Sequence, residues 1–154
     1  MVQNGRVAGD RGPNGRPAGS RHRMETRKGL DGRKRPRLLV VEDNFPVAEG
    51  LRYLLEGLGC DVAGMAADVP RALELVERVP FDLVLLDIDL RGEHVEPVAT
   101  AARRQGKPVI FISGYGEAYL LPAHLRELPR LEKPVEPDRL RAAIDEALAI
   151  TPAG

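Results

Sequence analysis

The stretch Asp82-Leu83-Val84-Leu85-Leu86-Asp87-Ile88-Asp89-Leu90 decides the fold. Four consecutive apolar residues run into a carboxylate, and Arg91-Gly92 stop the pattern soon after. A short apolar run without alternation reads as a strand buried on both faces, as in a parallel sheet. Asp87 then stands at the carboxyl end of that strand, where open α/β sheets place their ligands. A carboxylate at the edge of a dry sheet is costly unless a cation or hydrogen-bond donors meet it.

Outward from this strand the chain alternates. Upstream, Leu38-Leu39-Val40-Val41 is a second apolar run, ended by Glu42-Asp43-Asn44. Asn44 is a good N-cap, and Val47, Leu51, Leu54, Leu55 and Leu58 recur behind it at helical spacing until Gly57 and Gly59 close the helix. Residues 60–65 read as a short strand. Asp68 caps a second helix with Pro70 in its first turn and Leu73, Leu75 and Val76 beyond; Pro80 stops it. Downstream, a third helix is predicted over residues 94–104, with Pro97 near its start. Pro108-Val109-Ile110-Phe111-Ile112 is a strand ending at Ser113. Gly114, Gly116, Pro122 and Pro129 leave room for only a short fourth helix within residues 117–128. Residues 130–132 form a brief strand before Lys133-Pro134. Asp138 starts a last helix with Leu140, Ala143, Ile144, Ala147 and Leu148 on one face. Five strands alternating with five helices imply right-handed crossovers and a mainly parallel, doubly wound α/β sheet. Patterning does not give the strand order.

The chain has 154 residues, a formal net charge of zero and 43% hydrophobic residues, ordinary for a soluble domain with a real core. The neutral total hides a split. Residues 1–36 hold ten basic against three acidic residues, a net +7; the remainder holds 13 basic against 20 acidic, a net −7. The first segment is rich in Gly and Arg and too poor in apolar residues to offset its ordering entropy, so residues 1–36 are expected to be a disordered basic tail. Such a tail reads as a weak electrostatic arm for nucleic acid or anionic membrane, as an upstream mis-start (Met24 could initiate) or as vector sequence. The domain is expected over residues 37–150, with a C-terminal tail at 151–154, leaving no room for a DNA-binding or catalytic output domain. The one cysteine, Cys60, excludes an internal disulfide and reads as a small core residue. His22, His94 and His124 share no ligand spacing and read as surface residues. No apolar run reaches membrane-span length, and the basic N-terminus lacks the apolar core of a signal peptide, so a cytoplasmic location is expected.

In a parallel sheet the strand ends share one edge. Glu42 and Asp43, Asp87, Ser113 and Lys133 therefore converge although the sequence scatters them. Three crowded carboxylates raise one another's pKa, and a hard divalent cation removes the conflict. An oxygen-only ligand set favours Mg2+, which keeps waters and prefers few carboxylates plus a phosphate. A hydroxyl and an ammonium opposite it suit the remaining oxygens of a phosphoryl group. The constellation reads as a phosphoryl-accepting carboxylate: Asp87 the nucleophile, Glu42 and Asp43 the metal ligands, Ser113 and Lys133 the product-binding groups.

These motifs, in this order, resemble the receiver domain of two-component response regulators. The resemblance covers residues 37–150 and rests on Val40-Val41-Glu42-Asp43-Asn44, Leu85-Leu86-Asp87-Ile88, Ser113-Gly114 and Lys133-Pro134. It implies a flavodoxin-like (βα)5 fold with strand order 2-1-3-4-5 and phosphotransfer to Asp87 from a sensor histidine kinase or a phosphotransfer protein. It further implies a cis Lys133–Pro134 bond and a backbone carbonyl of Asp89 facing the metal. The protein would be a stand-alone signalling domain rather than an enzyme, acting on a downstream protein through the surface of its fourth helix, fifth strand and fifth helix. Arg91 stands where the family commonly has Pro, and Arg130 where an aromatic switch residue is usual. Tyr115, between Gly114 and Gly116, becomes the switch candidate, or a rim residue controlling access of water.

Two alternatives stand beside this reading. Asp87-Ile88-Asp89 also resembles the first motif of haloacid-dehalogenase-type phosphatases, in which the second aspartate is an acid/base; Asp89→Asn would separate the two. A degenerate receiver used only as a binding module is the other.

Overall fold

The computed structural model describes residues 34–149. The expected tails at 1–36 and 151–154 lie outside the described residues, apart from 34–36. The strands are β1 (Arg37–Val41), β2 (Asp61–Ala66), β3 (Leu83–Asp87), β4 (Val109–Ser113) and β5 (Arg130–Glu132). The helices are α1 (Phe45–Gly57), α2 (Val69–Arg78), α3 (Glu96–Arg104) and α4 (Pro137–Ala149). All strand pairings are parallel, in the order β2-β1-β3-β4-β5.

One expectation is corrected. Between β4 and β5 there is no fourth α-helix. Two 3₁₀ turns, Glu117–Leu120 and Ala123–Leu125, take its place. Gly116 sits at φ 77° and Pro122 divides the segment, so no run is long enough for consecutive i→i+4 bonds. Leu121 and Leu125, each 1% exposed, anchor these turns to the core.

The strands sort their side chains by parity. Leu39, Val41, Val84, Leu86 and Phe111 face a cluster closed by Ala72, Leu75 and Val76 of α2 and Val98 and Ala99 of α3. Leu38, Val40, Leu83, Leu85, Ile110 and Ile112 face the other way, onto Leu51 and Leu55 of α1 and Leu140 and Ile144 of α4. Each such buried aliphatic side chain contributes about 1.5–3 kcal/mol. Both layers are dry, so the polar groups of β1, β3 and β4 can meet water only at the strand ends.

Helix starts follow the sequence chemistry. Asn44 Oδ1 accepts the Val47 N–H at 3.1 Å and Asp68 Oδ1 the Arg71 N–H at 2.8 Å. The inward stripe of α1 is Ala48, Leu51 and Leu55; Val47, which shares the helical spacing, is 37% exposed. Leu54 and Leu58 are half-buried against the α1/α4 cluster. Cys60 is buried, as expected for a small core residue.

Candidate phosphoryl-acceptor site

The carboxyl ends of β1, β3 and β4 carry the three buried polar residues of the described chain: Glu42, Asp87 and Ser113. The order β1-β3-β4 brings them side by side, and Lys133, just beyond β5, reaches back to them. Lys133 Nζ donates to Asp87 Oδ2 at 2.9 Å and lies 3.1 Å from Glu42 Oε1. The second contact lacks hydrogen-bond geometry, so the buried Glu42 Oε1 has a charge partner but no hydrogen bond. Asp87 Oδ1 accepts the Asp89 N–H at 3.0 Å, and Glu42 Oε2 accepts the Asn44 N–H at 3.0 Å. Lys133 is fixed through its backbone: its N–H donates to the Ser113 carbonyl at 2.8 Å, and the Lys133–Pro134 bond is cis.

The electrostatics follow burial. Desolvation pushes the Glu42 carboxyl up to about 7, with the Asp87 charge adding to it, while the Asn44 N–H and Lys133 pull the other way. Burial acts against the Lys133 ammonium, but its hydrogen bond to Asp87 and the charges of Asp87 and Glu42 beside it outweigh this and hold its pKa above the ordinary lysine value.

One oxygen each from Glu42, Asp43 and Asp87 lies within 4.8 Å of the others. Ligand oxygens about 2.0–2.1 Å from a magnesium ion stand about 2.9 Å apart when adjacent in the octahedron and about 4.1 Å when opposite, so side-chain adjustment of about an ångström or two brings the three onto one ion. The set is all oxygen, and Glu42 Oε1 is buried with the Lys133 charge beside it but no hydrogen bond. These residues fit a hard divalent cation. Asp43 is also held by Arg91, whose Nε donates to Oδ2 at 3.0 Å. Arg91 has φ 53°, the only positive φ at a non-glycine position among the described residues. Its neighbour Leu90 is buried, and Glu93 Oε1 accepts the Val69 N–H at 2.8 Å, so the turn is tied down on both sides of the strained residue.

Glu42, Asp43, Asp87, Asp89, Glu117, Arg91 and Lys133 wall one cleft of about 400 Å³, with Asn44 and Val47. Ser113 and Tyr115 do not line it. Ser113 is buried at the end of β4, and Tyr115 is 93% exposed. Arg91 and Glu117 are the site residues that sequence reasoning left without a role. The signal for Glu117 was its place directly after Gly114-Tyr115-Gly116; that for Arg91 was its departure from proline.

Comparison with known proteins agrees with this geometry. The family model described as the response regulator receiver domain matches residues 38–145. The chain belongs to this family. The phosphatase alternative therefore falls. The chain is 32% identical over 114 residues to the phyllosphere-induced regulator PhyR of Methylorubrum extorquens, covering 72% of this chain and 43% of that protein. It is 34% identical over 120 residues to the transcriptional regulatory protein ZraR of Escherichia coli K12, covering 74% of this chain and 26% of that protein. It thus spans less than half the length of these relatives. Among solved structures, the PhyR receiver domain of Erythrobacter litoralis superposes with a TM-score of 0.68 at 30% identity, over 78% of this chain and 95% of that one. SdrG of Sphingomonas melonis Fr1 gives 0.67 at 32%, over 75% and 98%. As a receiver domain the chain is of a signalling class, and phosphoryl acceptance with Mg2+ is general to it. No helix among the described residues is long and apolar enough to cross a membrane.

Proposed function

We propose that this receiver accepts a phosphoryl group on Asp87 from a sensor histidine kinase or a phosphotransfer protein, in the cytoplasm, and signals by phosphate-dependent contact with another protein. The observation that carries this is the Lys133–Asp87 bond of 2.9 Å beside three carboxylates whose oxygens lie within 4.8 Å of one another. An Asp87 oxygen attacks phosphorus, the N–P bond of the donor phosphohistidine breaks, and its imidazole leaves with the electron pair. Lys133 and the Asp89 N–H hold the two Asp87 oxygens, which fixes the carboxylate for in-line attack. Glu42, Asp43, Asp87 and the Asp89 carbonyl would hold Mg2+, which supplies neutralisation of charge between nucleophile and phosphate when bound. Ser113 is the hydroxyl at the end of β4, the strand paired with β3, and Tyr115 on the following loop carries the change to the partner. The downstream face comprises the 3₁₀ turns, β5 and α4 in place of the expected fourth-helix surface.

Intact mass after incubation with Mg2+ and acetyl phosphate tests the acceptor. The native chain gains one phosphoryl group, labile to hydroxylamine; Asp87→Asn gains none; EDTA abolishes the gain. An adduct of equal yield on the variant overturns the assignment of Asp87.

A further inference from the structure

One carboxylate in the cleft has no role in acceptance. Glu117 Oε1 accepts the Gly114 N–H at 2.7 Å, a charge-assisted bond in a half-buried position. The contact is close enough that a Cβ on Gly114 would meet the carboxylate at 3.1–3.3 Å. Gly114 follows Ser113 directly, and β4 is the neighbour of β3, with Ile112 paired to Asp87. This N–H is therefore a donor at the accepting edge, filled by an anion of the chain itself. Among the described residues Glu117 pairs with no lysine or arginine. Five carboxylates (Glu42, Asp43, Asp87, Asp89 and Glu117) share the cleft with two cations, Arg91 and Lys133.

We propose that Glu117 is a resident anion that occupies the Gly114 N–H until Asp87 is phosphorylated, and that the phosphoryl group evicts it. The inference rests on Asp87 being the phosphoacceptor. A phosphoryl group brings up to two further negative charges into a cleft already short of cations. Glu117, like Asp89 on the Gly92 N–H, is held there by a backbone bond rather than by Arg91, Lys133 or burial; of the two, Glu117 holds the N–H that follows Ser113. Phosphoryl oxygens are stronger claimants for an N–H donor than a carboxylate tethered by a mobile side chain. Glu117 is also the first residue of the 3₁₀ turn Glu117–Leu120. Its release frees the start of the segment that displays Tyr119, 72% exposed, and Leu120, 41% exposed, beside Tyr115. Eviction thus converts charge at β3 into movement of an aromatic surface after β4.

The test uses the full chain labelled with 15N, with Mg2+ alone and with Mg2+ plus beryllium fluoride as the phosphoryl mimic. In the native chain the mimic shifts the amide resonances of Gly114 and of Glu117 to Leu120 together. In Glu117→Ala, which removes the acceptor that a glutamine would keep, the 117–120 resonances already stand displaced towards their mimic-bound positions before it is added, and the spectrum reports that the variant is folded. Glu117→Gln takes phosphate from acetyl phosphate about three- to tenfold faster at low ionic strength, and the ratio shrinks with salt. An adduct on the native chain that leaves the 117–120 amides unmoved overturns the eviction and spares the acceptor. A Glu117→Ala chain with native loop resonances does the same, as does a Glu117→Gln chain with native rate. A native chain that forms no adduct sinks the acceptor and this inference together.

Discussion

Arg91 Nε stands 3.0 Å from Asp43 Oδ2, so a guanidinium already holds one of the carboxylates that a divalent ion would use. The Arg91 side chain is 79% exposed and that of Asp43 17%, which places the pair at the mouth of the cleft, where such a bridge contributes about 0–1 kcal/mol. Arg91→Gln should therefore tighten Mg2+ by up to about fivefold, measured by calorimetric titration without any phosphodonor. Equal or weaker binding by the variant would show that Arg91 does not compete for Asp43.

Glu42 predicts how that affinity depends on pH. Its carboxyl is raised to about 7, and a carboxylate must lose its proton to bind a metal. Mg2+ affinity should climb as pH rises from 5.5 to 7.5, with proton release on binding, and the climb should flatten in Glu42→Gln. The linkage to folding has the opposite sense. A carboxyl with a raised folded pKa stabilises the metal-free fold most below its ordinary value of 4.5, and this contribution is lost as pH rises through about 7. Thermal melts of the metal-free protein across that window check it; a melting temperature rising steadily from pH 4.5 to 7 would contradict it.

Lys133 is the counter-charge to two buried carboxylates. Lys133→Gln should cost about 1–3 kcal/mol at pH 7, the usual effect of removing a hydrogen bond to a charged group. Adding Asp87→Asn to the same chain should restore part of the loss, because one unpaired charge then disappears. Denaturant melts of the three variants decide this, and simple additivity of the two substitutions would argue against coupling.

Tyr115 is exposed and stands away from the cleft wall, which separates partner contact from chemistry. Tyr115→Ala should leave the rates of phosphorylation and hydrolysis unchanged and weaken phosphate-dependent partner binding. A change confined to hydrolysis would make Tyr115 a gate for water.

A chain shortened to begin at Arg35 should melt within a few degrees of the full chain, since a loss of about 1 kcal/mol moves a domain of this size by only that much. Pro36 must be kept, because its carbonyl accepts the Asp61 N–H at 2.8 Å and ties β1 to β2.

Much of this was legible in the residues. Apolar runs such as Leu83 to Leu86 have one stable environment, a strand covered on both faces, and their polar stops mark the edge where ligands collect. Strand order was not legible from patterning, because nothing local in β1 records that β3 lies beside it; only the family resemblance supplied it. Helical spacing defines a stripe but not its margin: Val47 shares the spacing of Leu51 and Leu55, yet Ala48 takes the inward place. The sequence likewise offers Glu42 and Asp43 as equals. The chain's direction after β1 turns the first inward to Lys133 and the second outward to Arg91.

The two 3₁₀ turns between β4 and β5 set a ceiling on how firmly that quarter of the domain is held. The backbone bonds along them include the i→i+3 links Leu121 to Ala118, Leu125 to Pro122 and Arg126 to Ala123, with one side-chain tie from Arg126 Nε to the Leu121 carbonyl at 2.9 Å. Two buried leucines do the anchoring that a whole helical face does elsewhere. Opening them exposes little apolar surface, so their amide protons should trade with solvent deuterium long before those of β1 and β3. The work needed to rearrange this segment is then a small fraction of the work needed to unfold the protein. A phosphate of modest binding energy can reshape the surface here and leave the sheet beneath it undisturbed.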